Sequence, residues 1–395
     1  MHPNLSQRQS KSLLDDGPTC RKLALNQRRN EEQDHTASID RAAAEFDFAA
    51  CRDVAWNPEE FSLLYATPLW DEATPAQRIL LNQLYWVAYF NQIISSEIAT
   101  IFFNQVAAAG MYALEDFRVV CDTLDFESKQ ERAHINAFKT VSETVEWELF
   151  GERLFTYPMR GPYTETMIFS SNNRAQRFWR SLQLKAYALM SSNNAFLASQ
   201  YLLVRGLRTL NGKLIQHHLS THYSRDPDKA SAPVPSAISY FHFMDESHHF
   251  NTSRIIALDI GRSLDPPTAF EKWAINRGVF GCQKDHFNFS AVVNGLFWHE
   301  PATFPVIYRM LRSKHFGMEE AEALAMMRRC FCEENEGQHR SRQLQETAIE
   351  SYCAFVEPVD HLNRANREMS LMAGNSVARY LQQNRRAMSR FQPDA

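Results

Sequence analysis

The run of hydrophobic and polar positions divides the chain before any single residue is singled out. Residues 1–45 are polar, with only short apolar pairs, and predict a flexible arm or a packed strap. Thr74-Pro75-Ala76-Gln77 then reads as a helix start: Thr74 can cap, Pro75 suits the first helical position and Gln77 closes a capping box. From Ile79 to Ala109 the pattern is helical and carries no charge except Glu97. A helix that is apolar nearly all round is buried, so Glu97 is predicted to be a buried acid.

A second helix is predicted over about residues 127–150, with Ile135, Phe138, Val141 and Val145 along one face. A third spans about 174–219, with a bend or break expected near Gly206 or Asn211-Gly212. The Pro/Ser stretch 224–236 is long enough to cross the end of a bundle. A fourth helix follows over about 237–260, and Asp265-Pro266-Pro267 ends it. Residues 268–395 are also helical in pattern, with aromatics at Phe287, Phe289, Phe297, Trp298 and Phe304, and form a lid or a second helical layer. The expected organisation is all-α: a polar arm (1–45), a four-helix bundle (46–265) and a C-terminal helical extension (266–395).

Composition supports that reading: 27 Phe, 13 Tyr and 7 Trp against 13 Gly favour long, bulky helices over a turn-rich β fold. A formal net charge of −4 offers neither a nucleic-acid footprint nor a polybasic membrane anchor. The partner expected is therefore a small molecule or a protein. Seven scattered cysteines show no disulfide rhythm and read as reduced thiols. Cys330-x-Cys332 lacks the spacing of a zinc knuckle. With no apolar run of signal-peptide length near the N-terminus, a cytoplasmic location without a membrane span is expected.

The candidate chemistry lies in Glu131-x-x-His134 and Glu246-x-x-His249. Side chains at i and i+3 leave one face of a helix together, so two such motifs on facing helices can hold two metal ions. The acid-x-x-His pattern alone is weak: 46 acidic residues and 14 histidines in 395 positions give about 1.6 matches by chance. The chain has five, and Glu32/His35 and Glu336/His339 lie in polar stretches that read as solvated. Asp245/His248 overlaps Glu246/His249, and only one pair can face the core. His242, Glu246 and His249 share a face at i, i+4, i+7, which favours the second register and makes Asp245 an acceptor for a ligand histidine on the facing helix. An unpaired buried Glu97 would cost several kcal/mol or stay protonated, either of which argues for a cation.

At these residues the chain resembles the ferritin-like di-iron oxygenases, and in detail the p-aminobenzoate N-oxygenase-like enzymes. Those carry one further His four residues before the last Glu, as His242-Phe243-Met244-Asp245-Glu246 does here. The resemblance covers roughly residues 66–260. It implies Glu97, Glu131, His134, His242, Glu246 and His249 as metal ligands, with two Fe ions, or an Fe/Mn pair, and O2 as co-substrate.

One departure is large: the family pattern needs a glutamate on helix three, yet no Asp or Glu occurs between Glu165 and Asp226. Where that carboxylate is expected stands Ser191-Ser192-Asn193-Asn194, which makes Asn193 and Asn194 candidate catalytic positions; His217 or His218 is the alternative occupant. A dimetal site short of one carboxylate has room for chloride or bromide, as in mononuclear non-haem iron halogenases. The chain is in this respect similar to the cylindrocyclophane-type dimetal halogenases.

The expected function is O2-dependent halogenation of a C–H bond in a lipophilic or aromatic biosynthetic intermediate. The expected partners are that substrate, free or on a carrier protein, an electron donor, and a second copy of the chain in a homodimer. The alternatives are a di-iron N-oxygenase or hydroxylase and a non-catalytic metal-binding helical scaffold.

Overall fold

The computed structural model describes residues 17–112, 118–155, 174–224, 232–287 and 303–393. Among the described residues there are sixteen α-helices and no strand. In chain order they are α1 (Gly17–Glu32), α2 (Thr36–Ala44), α3 (Phe48–Cys51), α4 (Pro68–Glu72), α5 (Pro75–Tyr112), α6 (Arg118–Phe150), α7 (Arg174–Ser191), α8 (Ala195–Ser224) and α9 (Val234–Arg254). The C-terminal part supplies α10 (Ala269–Asp285), α11 (Phe304–Arg312), α12 (Glu320–Cys332), α13 (Glu336–Val356), α14 (Arg364–Arg367), α15 (Ser370–Ala373) and α16 (Val377–Met388).

The long helices α5, α6, α8 and α9 form the central bundle. Contacts fix their directions: α6 runs antiparallel to α5 (Asn104 to Ser128, Phe90 to Phe138), and α8 runs antiparallel to α5 (Tyr201 to Asn104, Gly212 to Tyr89). Helix α9 is antiparallel to α8 (Arg205 to Ser253, His217 to Phe243) and to α6 (His134 to Asp245, His249 to Gln130). This up-down-down-up order, with one long crossover between α6 and α8 that contains α7, is the ferritin-like arrangement.

The capping box at Thr74 and Gln77 is made in both directions, with Thr74 N–H donating to Gln77 Oε1 at 3.0 Å. Helix α5 is long and apolar enough to cross a bilayer, but here it is the central bundle helix, packed mainly on α6 and α8.

Helix three departs from the sequence expectation. Gly206 and Gly212 lie inside one continuous α8, and the break falls instead at Ser192–Asn194. Asn194 starts α8 by accepting from the Leu197 N–H at 2.9 Å. Gly206 is tolerated because a Cβ there would come within 2.6 Å of the Phe355 ring on α13, so the helix needs a glycine for close approach.

Two apolar clusters fill the two ends of the bundle. One joins Trp86, Phe90 and Phe138 to Ile307, Met327 and Phe331; the other joins Leu202, Leu207 and Ile256 to Tyr352, Phe355 and Met372. The C-terminal helices thus contribute core side chains to both ends. The N-terminal strap α1 reads as polar because part of its buried side is asparagine: Asn26 donates to the His248 carbonyl and Thr252, and Asn30 donates to Gln130.

Candidate metal centre

Six buried side chains from three bundle helices converge between the two apolar clusters. Glu97 comes from α5, Glu131 and His134 from α6, and His242, Glu246 and His249 from α9. Their potential ligand atoms fall into two groups, Glu97/His134/His242/Glu246 and Glu131/Glu246/His249, which have Glu246 in common. Two ion positions sharing one carboxylate is the arrangement expected of a dimetal site.

The individual contacts define the orientation of each ring. His134 Nδ1 lies 3.2 Å from Glu131 and 3.6 Å from Glu97, while its Nε2 lies 3.1 Å from Asp245. His249 Nδ1 lies 2.9 Å from Glu246 and 3.3 Å from Glu131, while its Nε2 lies 3.0 Å from the Gln130 carbonyl oxygen. His242 Nε2 lies 2.9 Å from Glu97. Each motif histidine therefore turns Nδ1 to the carboxylates and is held from behind by the residue that precedes the glutamate of the other motif.

The two supports differ in charge. Asp245 is fully buried and also receives the His35 backbone N–H, whereas Gln130 is neutral and tied to Asn30 and Asp34 of the strap.

Beside the cluster sits a buried ion pair. Arg205 of α8, 4% exposed, donates to Glu127 at 2.6 Å, to Asn104 and Ser253 at 2.9 Å, and to the His249 carbonyl at 2.8 Å. Five buried carboxylates (Glu97, Glu127, Glu131, Asp245, Glu246) then face one guanidinium. With neutral imidazoles, two divalent cations bring that sum to zero.

Without cations the protein must hold protons instead. Burial pushes the Glu97 carboxyl well above its ordinary pKa, against the pull of His134. Burial also opposes the charged form of His134, but its hydrogen bonds to Asp245, Glu131 and Glu97 outweigh it and raise the pKa. His242 is driven well below its ordinary value by burial, which favours its neutral imidazole. Glu97 Oε2 and His242 Nδ1 are buried with no hydrogen-bond partner among the described residues. Orphaned acceptors, excess carboxylate and a mixed oxygen and imidazole donor set all fit a pair of hard, redox-capable cations.

The other candidates sit elsewhere. Asn194 donates to Glu271 at 2.7 Å and caps α8, and Ser191 packs on Gly110 of α5. Gly110 is roughly 20 Å of helix beyond Glu97. Asn193 and Asn194 are thus part of the α7–α8 corner and not of the centre. His217 and His218 are exposed and lie against Phe243 and Phe61. His248 bonds Gln33, and Glu336 and His339 make surface ion pairs with Arg340 and Glu334. Trp86, Phe90 and Phe138 are fully buried ring on ring, a packed wall behind His242 and not an open channel.

Sequence reasoning did not single out Arg205, Glu127 or Gln130. Arg205 carried a readable signal, a lone charge in the apolar run Ala195–Leu207, the same mark that exposed Glu97.

No curated protein and no solved structure shows a significant match to the chain. The profile described as "Acyl halogenase CylC-like" matches residues 18–392, which covers the strap, the bundle and the C-terminal helices together. The protein is a halogenating enzyme by that membership, with a buried Glu/His cluster compatible with metal. The chain belongs to the CylC-like acyl halogenase family.

Proposed function

We propose that this protein is an O2-dependent dimetal halogenase that replaces a C–H bond of a lipophilic acyl or aromatic biosynthetic intermediate by a carbon–halogen bond. The observation that carries the reading is the pair of buried ligand groups sharing Glu246, in a chain of a halogenase family. The balanced reaction takes the substrate C–H, one halide, one O2, three protons and two electrons, and gives the halogenated carbon and two waters. An external electron donor supplies the two electrons.

Two iron ions, or an iron/manganese pair, would be held by Glu97, Glu131, His134, His242, Glu246 and His249, and would supply the redox chemistry that activates O2. The protein's own part is positioning. Asp245 and Gln130 fix the His134 and His249 rings, and Arg205, paired with Glu127, holds the His249 carbonyl. The Trp86/Phe90/Phe138 wall keeps water from the His242 side. Glu246 of α9, at 9%, is the most exposed of the six ligands. No disulfide joins the seven cysteines, in keeping with a reducing, cytoplasmic setting.

The test is aerobic turnover of the Fe(II)-loaded protein with a reductant and candidate fatty or aromatic acyl substrates, free and carrier-bound, in chloride or bromide, read by mass spectrometry. Halogen in the product, switching with the halide supplied, supports the proposal. An oxygenated product indifferent to halide would move the assignment to a hydroxylase or N-oxygenase.

A further inference from the structure

The register of α8 identifies what stands where the fourth carboxylate of a dimetal bundle would be. Arg205 bonds Asn104 on α5 and Ser253 on α9. Both neighbours are antiparallel, so two turns along α8, from Arg205 to Gly212, lead back two turns along each partner, to Glu97 and to Glu246. Independent contacts agree: a Cβ on Gly212 would lie 3.9 Å from the Tyr89 hydroxyl, which brackets the position between Tyr89 and Glu97. Tyr89 feels the charges of Glu246 and Glu97, and Lys213, next to Gly212, feels that of Glu246. The residue of helix three that faces the centre is therefore a buried glycine.

That glycine is not there for close packing. Its nearest neighbours to an added Cβ are side-chain tips, Gln216 Nε2 at 3.8 Å and the Tyr89 hydroxyl at 3.9 Å, with no backbone in the way. This contrasts with Gly110 and Gly206, where a Cβ would meet other atoms at 2.2 and 2.6 Å. The two groups nearest Gly212, the Gln216 amide nitrogen and the Tyr89 hydroxyl, can both donate hydrogen bonds. Burial and the nearby carboxylates keep the Tyr89 hydroxyl protonated. Gln92, one turn from Tyr89 towards Glu97 and 2% exposed, has no hydrogen-bond partner at either amide atom among the described residues. Gln216, 3% exposed, brings its amide nitrogen to the same point. A buried amide with both ends unsatisfied, one helical turn from the Tyr89 residue whose hydroxyl borders the glycine-made space, is suited to an anion without protons of its own.

We propose that Gly212 makes an anion socket on α8, lined by the Tyr89 hydroxyl and the Gln92 and Gln216 amides, that holds the halide beside Glu97 and Glu246. The proposal rests on the halogenase reading and adds the residues that admit and select the halide. Gly212 is the determinant: a glutamate there would restore the fourth carboxylate and close the socket.

The test is anaerobic titration of the Co(II)-loaded protein with chloride and bromide, followed by its visible spectrum, with metal counted in every sample. The wild type is expected to hold two metals and give a saturable halide response. Gly212→Glu should keep two metals and lose that response. Gly212→Ala, whose Cβ has room, should weaken bromide about tenfold more than chloride. Gln92→Leu should weaken both by roughly tenfold or more. Unchanged titrations in metal-loaded Gly212→Ala and Gln92→Leu would overturn the socket while leaving the halogenase reading intact if the wild type still halogenates. A wild type that binds two metals but no halide would overturn both.

Discussion

Asp245→Asn isolates the charge that supports one half of the centre. The substitution keeps the shape of a fully buried side chain whose Oδ2 accepts from His134 Nε2 at 3.1 Å and whose Oδ1 accepts from the His35 N–H at 3.4 Å. What changes is the negative charge behind the imidazole, which orients the ring and raises the basicity of the nitrogen facing the metal. Removing such a support costs about 10–100-fold in metal affinity, or about 1.4–2.7 kcal/mol. The loss should fall on one ion only, because His249 is held by the neutral Gln130. Competition titration of the metal-free protein with Co(II) and a chelator should show two unequal steps in the wild type, and in Asp245→Asn an unchanged weaker step with the stronger one lowered towards it. Gln130→Glu should strengthen the other step. If both Asp245→Asn steps stay within about threefold of the wild type, the assignment of Asp245 as the support of a ligand histidine is wrong.

Further outcomes follow from the same geometry. Arg205→Met strands the buried Glu127 and should cost about 3–5 kcal/mol in urea unfolding, with part of it regained in Arg205→Met/Glu127→Gln; a loss under about 1 kcal/mol would show that the pair is not load-sharing. Asn194→Ala should cost about 1 kcal/mol through the lost α8 cap and leave two metals per chain, whereas lost metal would return the α7–α8 corner to the site. Metal-free Glu97, raised by burial, and His134 and His249, raised by their carboxylate partners against burial, hold protons that cations displace. Metal affinity should therefore fall as pH falls, and calorimetry in buffers of different ionisation enthalpy should read net proton release; net uptake would contradict the shifts.

Much of the bundle was legible because helical periodicity writes itself into sequence. Glu97 stood out as a lone charge in an apolar run, and the two motifs shared faces by spacing alone. Helix three was harder. Its centre-facing residue is a glycine, which carries no side-chain chemistry to read, and Gly206 and Gly212 look like breakers in sequence although tertiary packing and site geometry account for them. The actual break, Ser192–Asn194, looked instead like a polar substitute for a ligand. How the strap packs was unreadable for a related reason: asparagines that bond the backs of α6 and α9 are indistinguishable in sequence from solvated ones.

Whether the cluster holds two metals on a shared Glu246 is read by the metal count after anaerobic Fe(II) loading and desalting, wild type beside Glu246→Ala. Two irons per wild-type chain and a marked loss in Glu246→Ala are expected, since both ligand groups share that residue. One iron or none in the wild type, or two irons retained without Glu246, would contradict the shared site.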